Sequence, residues 1–85
     1  MNAETLLKHA AGVIANREES YGKPRESMEA IAKRWSLTLG VPVTAAQVVL
    51  CLLDLKITRL TRDPKHLDSA IDAAAYAALL REVAR

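Results

Sequence analysis

Eighty-five residues make one domain, spanning residues 1–85, near the lower limit of what folds alone, so burial against a second chain is expected. Apolar residues form 51% of the chain, yet Phe is absent and the only aromatics are Tyr21, Trp35 and Tyr76, which predicts an aliphatic, alanine-rich core of closely packed helices. Twelve Lys and Arg against ten Asp and Glu leave a formal charge of +2, too small and too evenly spread to argue for nucleic acid.

The N-terminal stretch MNAETLLKHAAG has neither the basic start nor the long apolar block of a signal peptide. No stretch reaches the ~18 apolar residues of a membrane span, so the chain reads as soluble and cytoplasmic. Leu6, Leu7, Ala10, Val13 and Ile14 fall at helical spacing and predict a first helix from about Ala3 to Glu19, with Asn2 as its N-cap. Gly22 suits the left-handed end of that helix, and Pro24 forbids continuation. The segment Arg17 to Gly22 is thus set at a helix end, where binding residues often sit.

Pro24 fits the first turn of a second helix reaching Leu39, with Met28, Ile31, Ala32, Trp35 and Leu39 as its inward stripe. Trp35 reads as core, and Glu29 with Lys33 as ordinary surface support. Gly40 ends this helix. Thr44 then offers an N-cap completed by Gln47, with Val43 and Val48 as a hydrophobic staple. The third helix runs to about Arg62, with Val49, Leu50, Leu53, Ile57 and Leu60 expected to face the core. The lone Cys51 permits no internal disulfide and reads as a small core residue in a reducing compartment. Asp54 lies in the same apolar run and is expected to be buried and paired with a cation or with Tyr21, within the chain or from another. Asp63 and Pro64 read as the cap and first turn of a fourth helix from about Pro64 to Ala84. No segment alternates with period two. The fold class predicted is all-α, a four-helix antiparallel bundle that self-associates through the third and fourth helices, helped by the cluster Ala73, Ala74, Ala75, Ala77 and Ala78.

Polar residues converge if the last two helices form a hairpin. Lys56 and Arg59 lie one turn apart near the end of one, and Asp68, Asp72 and Tyr76 form an i, i+4 stripe on the other, at similar heights from the turn. The simpler account is a clasp in which Lys56 and Arg59 pair with Asp68 and Asp72. The functional account is a pocket in which these residues, with Arg17 and Tyr21, hold the charged part of a nucleotide. Tyr21 reads equally as helix-end packing or as a base-stacking or phosphate contact. Tyr76 tilts the balance toward a pocket, since a charge clasp has no use for a phenol on that stripe. His9 and His66 lack partners at ligand spacing, and neither a nucleophile motif nor a Gly-rich phosphate loop occurs.

The order Arg17, Glu18, Tyr21, Gly22, then a Trp-containing helix, then Lys56, Ile57, Arg59, Leu60, then Asp68, Asp72, Tyr76 resembles a family of small phage and prophage domains of unknown function. That family is similar to nucleotide-modification-associated domains and, distantly, to MazG-like nucleoside triphosphate pyrophosphohydrolases. The resemblance covers roughly residues 13 to 80. It implies a helical homo-oligomer in which Asp68 and Asp72 hold Mg2+ against a triphosphate, while Arg17, Tyr21, Lys56, Arg59 and Tyr76 contact the ligand. The earlier paired acids of the pyrophosphohydrolases have no counterpart on the third helix, where Asp54, Lys56 and Arg59 stand instead. That departure favours a nucleotide or nucleotide-like ligand bound without turnover, or a non-enzymatic oligomer acting through protein–protein contacts.

Overall fold

A computed structural model of the chain describes residues 1–84, among which there are four helices and no strand. They are α1 (Ala3–Tyr21), α2 (Pro24–Leu39), α3 (Ala45–Arg62) and α4 (Leu67–Val83). Local chemistry sets most of the ends. Asn2 Oδ1 accepts from the Thr5 N–H at 2.9 Å, and Thr44 and Gln47 form the reciprocal capping box that opens α3. Gly22 (φ 82°) and Gly40 (φ 71°) take the positive φ that ends α1 and α2 at little cost. The start of α4 departs from expectation. Asp63 closes α3, its Oδ1 accepting from the Lys65 N–H, and Pro64 and Lys65 form a turn. The cap is His66, whose Nδ1 lies 3.2 Å from the Ser69 N–H and 2.7 Å from Ser69 Oγ.

The turn folds α4 back along α3, and this hairpin is the most extensive packing in the molecule. Val48 and Val49 are fully buried, in one cluster with Met28, Ala32, Ala45, Tyr76, Leu79 and Val83. Burying each valine is worth up to ~2 kcal/mol. A smaller cluster of Ala10, Ile71 and Ala75 seats α1 on the other side of α4, and Ile14 touches both clusters. The antiparallel arrangement expected throughout is evident for α3 and α4. α2 instead lies over the open end of their hairpin. Arg25 donates to the Glu82 carbonyl at 2.8 Å, and the Ser36 hydroxyl receives the Val43 N–H at 2.9 Å. Among the described residues α1 and α3 do not pack together, and α1 touches α2 at few points.

Val49 and Leu53 on α3 face the core as expected, but the inward face is centred further round the helix than expected. It carries Ala45, Val48, Val49, Leu52 and Lys56, whereas Leu50 and Ile57 are about half exposed (43% and 46%). Cys51 and Asp54 are exposed as well, so the core cysteine and the buried carboxylate both fail. Asp54 and Lys56 stand some 200° apart around a helix, so only one can face in. Lysine is the one whose aliphatic stem tolerates burial while its ammonium reaches a partner. Leu39, assigned to the inward stripe of α2, is 63% exposed, while Trp35 packs half-buried against the main core. No helix among the described residues is long and apolar enough to cross a membrane.

Candidate ligand-binding cleft

The two-residue link Gly22–Lys23 ties α1 to α2, and the helices splay apart from it. Between them opens a cleft of about 300 Å³, at the lower end of the range for small-molecule sites. Arg17, Glu18 and Tyr21 line it from α1, and Ser27, Met28 and Ile31 from α2; Leu52, Tyr76 and Leu79 reach it from the hairpin. The aliphatic members join the main core, so the cleft is apolar below and polar at its rim.

One interaction organises that rim. Arg17 Nη1 donates to the buried Tyr76 hydroxyl at 3.2 Å, and the guanidinium carbon lies 5.4 Å from the centre of the Tyr76 ring, within cation–π range. Among the described residues no carboxylate pairs with Arg17. A guanidinium has five N–H donors, so Tyr76 positions the group while leaving most of it free. Tyr21 ends α1 beside the same cleft and is 74% exposed. The first turn of α2 also faces this corner, and its cap residue Lys23 supplies no side-chain acceptor.

The polar constellation expected from the sequence therefore divides. Arg17, Tyr21 and Tyr76 gather at the cleft. One turn back along α4, Asp72 meets Lys56 at 3.0 Å in a largely buried pair, with side chains 25% and 14% exposed. That is the clasp. Arg59 and Asp68 are exposed near the turn and, among the described residues, form no ion pair. Asp68 and Asp72 do not line the cleft, and among the described residues no three His, Cys, Asp or Glu side chains group to hold a metal. Magnesium asks for octahedral oxygen coordination, and one of the two carboxylates is already neutralised by an ammonium, so these residues do not form a ready cage for it.

The α2 wall, Ser27 with Met28 and Ile31, was assigned to no site from the sequence. The available signal was the shortness of the Gly22–Lys23 link, which obliges the residues flanking it to share one corner.

Comparison with known proteins gives the lineage of this arrangement. A family profile described as a domain of unknown function, DUF6378, matches residues 5–84. The chain belongs to this family. The DUF6378 chain is also 34% identical over 81 residues to the Gene 55 protein of Mycobacterium phage L5. That match covers 93% of this chain and 52% of the phage protein, so the chain spans about half the length of that relative. No solved structure matches significantly. The kinship with a phage domain of unknown function expected from the motif order is thus found, and DUF6378 is a different family from the pyrophosphohydrolases of the more distant resemblance.

Proposed function

We propose that the α1–α2 cleft binds a nucleotide or nucleotide-like small molecule, with Arg17 meeting its anionic part and Tyr21 stacking on its flat part. The observation that carries this reading is the Arg17–Tyr76 pair: a guanidinium without a carboxylate partner among the described residues, held by a buried phenol at the mouth of an apolar cleft. Isolated cations on apolar clefts are suited to amphiphilic anions, which bring a charge for the rim and a hydrophobic body for the floor. Binding without turnover is favoured over hydrolysis because, among the described residues, Glu18 is the one carboxylate lining the cleft, while Asp68 and Asp72 stand outside it. Any Mg2+ would arrive on the phosphates of the ligand. The alternative, a non-enzymatic oligomer acting through protein contacts, draws on the exposed face of α3.

Thermal shift and calorimetry with a panel of nucleosides and their mono-, di- and triphosphates, with and without Mg2+, test the proposal while product formation is followed. At least one phosphorylated member should raise Tm, and Arg17→Ala should weaken its binding about tenfold or more, the loss of one charge-assisted contact. No response to any member, or equal affinity in Arg17→Ala, would sink it. Steady release of pyrophosphate would replace the binding reading with the hydrolytic one.

A further inference from the structure

The hydroxyls of the α1–α2 cleft narrow the class of its ligand. Tyr76 accepts the Arg17 N–H through a lone pair of its oxygen, which leaves the phenolic proton still to be donated. Among the described residues that proton meets no acceptor, although Tyr76 is only 6% exposed. A buried donor without an acceptor costs stability and is seldom left so, and this one lies beside the guanidinium that a ligand would meet. Ser27 lines the same cleft from α2, half-buried, and its hydroxyl has no hydrogen-bond partner among the described residues either. Serines within helices often turn back to the carbonyl one turn earlier, as Ser36 does to Ala32 at 2.7 Å. Ser27 does not. Unused donors therefore reach the cleft from three helices: Arg17 from α1, Ser27 from α2 and Tyr76 from α4.

Charge sets the opposite limit. Among the described residues Arg17 is the one cation lining the cleft, and Glu18 adds a carboxylate to the same lining. Lys56 is committed to Asp72. Lys23 and Arg25 line a separate depression with Glu26 and Glu82, where two carboxylates balance two cations. A phosphate monoester carries about −1.5 to −2 at pH 7, and each further phosphate adds charge that Glu18 repels and that no second lining cation meets. The volume agrees, since a cleft of about 300 Å³ suits a compact ligand. Donors arriving from three helices also suit the tetrahedral oxygens of one phosphate better than a flat carboxylate.

We propose that the cleft selects a nucleoside monophosphate, with Arg17, Tyr76 Oη and Ser27 Oγ all donating to its single phosphate, and discriminates against the di- and triphosphates. This rests on the nucleotide-binding reading and adds to it the class of nucleotide and the role of Ser27.

Calorimetry in buffer without Mg2+, with nucleosides and their mono-, di- and triphosphates, tests the proposal. The monophosphate should bind about tenfold or more tighter than its nucleoside, and tighter than the triphosphate. Ser27→Ala should weaken the monophosphate about three- to tenfold and leave the nucleoside unchanged, with a Tm no lower than that of the wild type. Tyr76→Phe, which removes a donor and the holder of Arg17 together, should lose more, again on the monophosphate and not on the nucleoside. Arg17-dependent affinity that rises with each added phosphate would overturn this proposal while upholding the binding reading. So would a Ser27→Ala protein that binds the monophosphate as tightly as the wild type does. Absence of binding by every member would remove both.

Discussion

Asp72 and Tyr76 sit one turn apart on the same stripe of α4, and each meets a cation from a neighbouring helix, yet the two pairs are different devices. Lys56 comes from α3, the helix most closely packed on α4, so its ammonium and the Asp72 carboxylate close on each other with little solvent between them. Arg17 comes from α1 at the point where α1 leaves α2, so its guanidinium is steadied by the Tyr76 hydroxyl and ring but stays open on its other side. The helix that supplies the cation therefore decides whether a polar pair is a fastening or a site. Where neighbouring helices pack closely the charges satisfy each other; where they splay, donors remain for a ligand.

The largest test of this difference is at Tyr76. Tyr76→Ala removes a buried ring shared by the core and the cleft and should cost about 3–5 kcal/mol, enough to leave a domain of this size mostly unfolded in urea or thermal melts. Tyr76→Phe should cost about 1 kcal/mol, a fall in Tm of about 4–8 °C that is far smaller than for Tyr76→Ala, and act mainly by loosening Arg17, so nucleotide affinity should fall as well. Equal destabilisation by both changes would make the hydroxyl a structural fastening like Asp72.

Next in size is the clasp. Lys56→Ala alone should cost about 1–2 kcal/mol, and adding Asp72→Ala should cost little more, because the second change removes the carboxylate stranded by the first. Ligand affinity should be unchanged in both. A double-mutant cycle without coupling, together with lost binding, would mean that Lys56 and Asp72 serve the cleft after all. The smallest effect is expected from Arg59→Ala and Asp68→Ala, which should each stay within about 0.5 kcal/mol and leave binding intact. Loss of Mg2+-dependent nucleotide binding in Asp68→Ala would restore the metal role implied by the family resemblance.

Local chemistry was legible in the chain before any tertiary structure. The Thr44–Gln47 box, the Asn2 cap and the two positive-φ glycines are settled by residues within one turn of each other, so four helices and three of their starts can be read directly. The partial miss at α4 has the same local character: Asp63 has a side chain able to cap, but it closes the preceding helix, and His66 takes its place. The facing of α3 was legible only in part: Val49 and Leu53 point inward as expected, Leu50 and Ile57 do not. A helix apolar on nearly every side has no periodicity to phase it, and the choice between burying Asp54 or Lys56 depends on Asp72, sixteen residues further along and on another helix. The cleft is likewise tertiary. Local sequence settled the helix boundaries apart from the start of α4, and placed Arg17 and Tyr21 at a helix end. Only packing decided that Tyr76 would meet Arg17 while Asp72 met Lys56, because that depends on how far α1, α2 and α3 stand from α4, a distance set by the summed fit of many side chains and by no motif.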